Sequence, residues 1–111
     1  MFTPADNVGV MYGIHPHFIT ATYMEDLVLL RQMLHENYGS IIALGEIGLD
    51  FGPKNTVNID LQIEGFLNQL KIAVDRDLPI CLHIRGDQND IAFKVLDDAN
   101  VPLDQKIHLH W

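Results

Sequence analysis

A single cysteine, Cys81, stands in 111 residues, so no intrachain disulfide can form and a reducing compartment suits the chain. It sits inside the apolar run PICLHIRG (79–86), where a buried structural thiol is expected. No apolar run is long enough to cross a bilayer, and no basic start precedes an apolar stretch as a secretory signal would. The expected location is therefore cytoplasmic, or nuclear for a eukaryotic source. Basic residues are scarce: 7 Lys and Arg against 15 Asp and Glu give a net charge of −8. That excludes a nucleic-acid binder held by a broad basic face. It leaves open an enzyme whose positive field at a phosphate comes from divalent cations. Linkers, internal repeats and low-complexity segments are also absent. The length fits one domain of ordinary size or a piece of a larger one.

Strand-like runs begin near Val8, Ile41, Leu78 and Lys106. Three segments of helical period lie between them. Leu27, Leu30 and Leu34 mark the first, with Met24 and Met33 nearby; Ile59, Ile63, Phe66, Leu70 and Val74 mark the second; Ile91, Val95, Leu96 and Ala99 mark the third. Asn37-Tyr38-Gly39, Leu78-Pro79 and Val101-Pro102 end them. The order β-α-β-α-β-α-β implies a parallel sheet with right-handed crossovers. The spacing of roughly 27 to 38 residues is near the unit of a (β/α)8 barrel of about 250 residues. The fold expected is α/β, about four strands and three helices of a TIM-type barrel; a flavodoxin-like sheet, the other option, wants a fifth strand.

Side chains capable of binding metal stand at the C-terminal ends of these runs, the edge where parallel α/β folds place their chemistry. Strand alternation puts Cys81, His83 and Arg85 on one face, His108 and His110 on one face, and Ile42, Leu44 and Glu46 on one face. The wholly aliphatic faces should meet the helices. Glu46, His83 and His110 should then converge at the barrel mouth, a set suited to Zn²⁺, Mn²⁺ or a related ion. Arg85 offers a donor fork for a phosphate or, equally, a salt bridge to Asp50 or Asp87. Pro16 closes the first strand and leaves His15 and His17 in the first βα loop, either able to meet a phosphate, His17 more readily serving loop hydrogen bonding. His35 falls near a helix C-terminus, where a cation suits the dipole, and is given no function. Asp50 closes the GEIGLD run as a carboxylate behind the ligands, as a ligand itself, or as a solvated capping residue.

Taken together, GIHPH (13–17), GEIGLD (45–50), Gln62 with Phe66, LPI (78–80), His83-x-Arg85 and a late-strand histidine resemble the TatD-type metal-dependent deoxyribonucleases of the metallo-dependent hydrolase superfamily. The resemblance runs from about Val8 to Trp111. It implies a (β/α)8 metallohydrolase that cleaves phosphodiesters of DNA with two divalent ions (Mg, Mn or Zn). By that resemblance Glu46 is the catalytic, bridging carboxylate, and His83 and His110 are metal ligands. Arg85 or His15 then binds phosphate, and Asp50 supports the site.

The family pattern also contains an earlier strand with a His-x-His pair and a late Ser-Asp-type site, and neither is found here. Residues 1–111 are thus expected to be one partial barrel domain, an internal fragment lacking the N-terminal His-x-His strand and the C-terminal strands. Such a chain should hold at most one ion, weakly, and its open sheet edges should leave it prone to self-association. No obligate protein partner is expected. The other readings are a related metallohydrolase acting on an amide or ester, and a non-catalytic fragment.

Overall fold

A computed structural model describes residues 10–87 and 90–110. Strands and helices alternate: β1 (Val10–Tyr12), α1 (Tyr23–Glu36), β2 (Ile41–Asp50), α2 (Ile59–Arg76), β3 (Ile80–Arg85), α3 (Ile91–Asp98) and β4 (Ile107–His110). The four strands form one parallel sheet in the order β1-β2-β3-β4. This is the partial barrel architecture expected from the alternation. Val8, the expected start of the first strand, lies outside the described residues.

Each helix is set by local chemistry. In α1 the stripe Leu27, Leu30 and Leu34 is buried, while Met24 faces solvent. The Asn58 side chain caps α2, its Oδ1 accepting from the Asp60 N–H at 2.8 Å and the Leu61 N–H at 3.2 Å. That helix ends at Asp77, which takes a left-handed turn ahead of Pro79. Both carboxylate oxygens of Asp87 accept from the first turn of α3, at the Ile91 and Ala92 N–H groups. Ile59, placed on the apolar stripe by its spacing, is exposed in the first turn of α2. The buried stripe instead includes two glutamines, Gln62 and Gln69, beside Phe66, Leu70 and Ala73.

The core lies between the sheet and the helices. Ile80, Leu82 and Ile84 of β3 enter it on strict alternation. In β2 the residues that enter are Leu44, Ile47 and Leu49. This corrects the expectation that Ile42, Leu44 and Glu46 share a face. The β2 register slips twice, between its Ile41 and Ala43 pairings with β1 and between Leu44 and Ile47 against β3. An extra residue inverts which side chains point inward. Ile42 is left largely exposed, Leu44 turns to the helices, and Glu46, Gly48 and Asp50 share the opposite face. On β4, Ile107 and Leu109 do not reach full burial; they edge an open apolar groove of about 300 Å³ with Leu82, Ile84, Phe93 and Leu96.

Candidate metal centre

Gly48 aligns with His83 across β2 and β3, and Asp50 with Arg85. The register slip therefore delivers two carboxylates, two residues either side of Gly48, beside the β3 histidine. The first βα loop folds over the same edge. Phe18 N–H donates to the His15 carbonyl at 2.8 Å, closing a turn around the buried Pro16. Three imidazoles then stand together, with ring centroids 4.6 Å apart for His15 and His83, 5.0 Å for His15 and His17, and 6.4 Å for His17 and His83.

Asp50 anchors this cluster. It is 1% exposed, and its Oδ2 lies 2.6 Å from His17 Nε2 and 3.0 Å from His83 Nε2, while Oδ1 accepts from the Gly52 N–H at 2.9 Å. Burial pushes its pKa up. The hydrogen bonds from His17, the Gly52 backbone and His83 outweigh that and lower it to about 2. An ionised carboxylate only accepts, so both imidazoles present Nε2–H to it. That leaves Nδ1 of His83 with the lone pair, the arrangement in which a carboxylate orients a metal-binding histidine.

His15 is differently placed. Its Nδ1 accepts from the His17 N–H at 3.1 Å, so the neutral ring carries its proton on Nε2. Burial lowers its pKa, as do the neighbouring His83 and His17; Glu46 and Asp50 act in the opposite sense. His15 is thus a neutral hydrogen-bond donor near neutral pH.

Among the described residues, two groups of side chains offer ligand atoms within 4.8 Å of one another: His15, Glu46 and His83, and His17, Asp50 and His83. Ligands on one Zn²⁺ lie about 2.0–2.2 Å from it, hence at most roughly 4.4 Å apart, within a small side-chain adjustment of this spacing. Nitrogen and carboxylate donors fit Zn²⁺ or Mn²⁺ chemistry. An ion in the second group would displace both Nε2 protons from Asp50.

Of the residues singled out from the sequence, Glu46, His83, His15 and Asp50 gather at this edge. Arg85 ends β3, exposed, and makes no ion pair with Asp50 or Asp87 among the described residues. The His110 backbone pairs with His83, but its side chain lies outside the described part of the structure. His108 pairs with Cys81, further from the mouth. His35 is exposed on α1, away from the cluster. Cys81 is buried as expected, and burial followed by the nearby Glu46 raises its pKa. His17 serves hydrogen bonding, as its loop position favours, and its partner is Asp50, 33 residues along the chain. The sequence spacing in HPH gives no sign of that.

A parallel α/β sheet with imidazoles and carboxylates collected at its C-terminal edge defines the class, a barrel of the metallohydrolase type. Within it, the chain belongs to the family described as TatD related DNase, whose profile matches residues 2–111. It is 34% identical over 108 residues to the human "3'-5' RNA nuclease TATDN2", covering 95% of this chain and 13% of that protein. It is 33% identical over 102 residues to an "uncharacterized metal-dependent hydrolase" of Haemophilus influenzae, covering 89% of this chain and 39% of that one. The crystal structure of YjjV, a TatD homolog from Escherichia coli, superposes with a TM-score of 0.74 at 30% identity, over 88% of this chain and 37% of that chain. The chain thus spans well under half the length of these relatives.

Proposed function

We propose that this chain carries the metal- and phosphate-binding strands of a divalent-metal-dependent nuclease that hydrolyses phosphodiesters of DNA. The observation that carries the reading is the approach of Glu46 and His83 at the strand ends, with His15 beside them. Glu46 and His83 would hold the ion. His15, its Nδ1 occupied by the His17 N–H, directs an Nε2–H donor at a phosphate oxygen. Asp50 fixes the tautomer and orientation of His83 from behind. Arg85 waits at the rim as a second phosphate donor. A bound divalent cation supplies Lewis acidity at the phosphate and lowers the pKa of an attacking water.

Both candidate groups use His83, and one imidazole lone pair serves one ion. One ion is therefore the number these residues hold; His110, whose backbone lies beside His83, is the candidate for a further ligand, and a second ion would make up the complete centre. The family names support the reading: a Pantoea relative, 37% identical over 73 residues, is named a "3'-5' ssDNA/RNA exonuclease TatD".

The test is Mn²⁺ calorimetry on the chain, followed by cleavage of end-labelled single-stranded DNA, with RNA and a nitrophenyl ester as parallel arms. Binding of one Mn²⁺ that Glu46→Gln and His83→Ala each weaken at least tenfold is expected, with DNA the substrate. Metal affinity unchanged in both variants, or hydrolysis of the ester alone, would overturn the reading.

A further inference from the structure

The amides of Gln62 and Gln69 are almost completely enclosed, at 1% and 0% exposure, in a helix face otherwise built from Phe66, Leu70 and Ala73. Burying an amide without partners is costly, so such a group survives in a core only where its bonds are made. Here they are made to the backbone of the site. Oε1 of Gln69 accepts from the Ile14 N–H at 2.6 Å, and its Nε2 donates to the Ile14 carbonyl at 3.2 Å and to the Gly65 carbonyl at 3.1 Å. Oε1 of Gln62 accepts from the Asp50 N–H at 2.8 Å, and its Nε2 donates to the Val57 carbonyl at 3.0 Å.

The partners matter more than the bonds. The β1 ladder ends at Tyr12, and Ile14 lies two residues past it, directly before His15. By holding both the N–H and the carbonyl of Ile14, Gln69 takes the place of a neighbouring strand and extends the fixed backbone up to the histidine loop. At the other end of the site Gln62 holds the N–H of Asp50, the residue that aligns His17 and His83, while the Asp50 carbonyl accepts from Asn55 Nδ2 at 2.9 Å. The two glutamines are seven positions apart, about two helical turns, so one rigid face carries both. Close packing supports it: a Cβ on Gly65 would lie 2.4 Å from Ile19 Cδ1, so α2 sits directly on the first loop.

We propose that Gln69 and Gln62 are positioning residues, α2 using the first to place the phosphate donor His15 and the second to place the metal-orienting Asp50. The inference rests on the reading of His15 and Asp50 given above. It predicts a separation that a purely structural role does not. Loss of Gln69 misplaces the substrate arm and spares the ion; loss of Gln62 misplaces the carboxylate behind His83 and weakens the ion.

The experiment compares Gln69→Met and Gln62→Met, which keep side-chain length, with Leu34→Ala, a destabilising change in α1 away from the site. Mn²⁺ affinity is read by calorimetry and single-stranded oligothymidylate affinity by fluorescence anisotropy at saturating Mn²⁺. Gln69→Met should lower oligonucleotide affinity about tenfold or more and leave Mn²⁺ affinity within about twofold. Gln62→Met should lower Mn²⁺ affinity about tenfold or more. If Gln69→Met does not fold, Gln69→Glu, which keeps the acceptor for Ile14, takes its place. A third readout needs no metal and no substrate: nitrogen NMR of the His15 ring should show the Nε2–H tautomer in the parent and a mixture in the Gln69 variant. Failure of the parent to bind oligonucleotide while the tautomer responds would overturn the nuclease reading and leave Gln69 as a positioning residue. An unmoved tautomer, or equal shifts in all three variants, would overturn the inference itself.

Discussion

Nε2 of His17 lies 2.6 Å from Oδ2 of Asp50, joining the loop after β1 to the end of β2. The carboxylate is buried, yet its pKa falls from 3.8 to about 2 because His17, the Gly52 N–H and His83 all stabilise its charged form against the cost of burial. A folded-state pKa below the unfolded one means that stability is gained above the unfolded value and lost as pH falls through the folded one. The Asp50 contribution is therefore complete above about pH 5 and is lost progressively between about pH 5 and pH 1. Urea denaturation of the parent and of Asp50→Asn at a series of pH values checks this. The stability gap should be open at pH 5 and close progressively between about pH 5 and pH 1. A gap already closed at pH 5 would show that the ionised carboxylate is not what holds the two loops.

Much of this arrangement was legible in the sequence, and the part that was not has a physical cause. Leu27, Leu30 and Leu34 follow the helical period and are all buried. Ile80, Leu82 and Ile84 follow the strand period and enter the core. Period counting failed in β2 because it assumes an unbroken ladder, and the slips at Ile42 and before Ile47 invert the count twice. Glu46 still reached the inward face, together with Asp50, which the alternation alone would equally have placed there. The role of His17 was hidden because a histidine in a loop has no period to read. Gln62 and Gln69 did carry a signal: two amides at a spacing of seven within an apolar stripe mark a helix face that is buried and bonded.

Gly48 permits a close approach between β2 and β3. Its φ of +146° is one that side-chain-bearing residues rarely adopt, and a Cβ there would lie 2.2 Å from the His83 carbonyl oxygen. Gly48→Ala combines a conformational penalty with a backbone clash that no side chain can relieve by turning. A loss of at least about 2 kcal/mol is expected, at the upper end of single-site effects. Chemical denaturation measures it, and Mn²⁺ affinity should fall in the same variant because His83 is displaced. Gly39→Ala is the control, since nothing lies within 4 Å of a Cβ at that position.

His15 should titrate below the ordinary histidine value of 6.5. Burial is the leading cause, His83 and then His17 add to it, and Glu46 and Asp50 oppose it. The neighbours give the test its direction. Removing a like charge in His83→Ala should move the His15 midpoint up, whereas removing the carboxylate charge in Glu46→Gln should move it down. Proton NMR titration of the imidazole resonances, without metal, follows both. Shifts in the same direction in the two variants would mean that the fields of His83 and Glu46 do not meet at His15.

An ion held by Glu46 and His83 must stabilise the folded chain, because the unfolded chain does not bring those residues together. Binding to the folded state alone adds RT ln(1 + [L]/Kd), about 2.7 kcal/mol at a hundredfold excess over Kd. For a chain of this size that corresponds to a rise of roughly 8 °C or more in the unfolding midpoint. Thermal melts with and without Mn²⁺ should show the rise, and EDTA should reverse it. His83→Ala should abolish it, because both candidate groups lose a ligand. Asp50→Asn should reduce it less, since an amide can still accept from one imidazole and hold the ring in part. His35→Ala, on the exposed end of α1, should leave it unchanged. A rise that survives His83→Ala would place the ion elsewhere on a chain with net charge −8, where carboxylates alone could hold it.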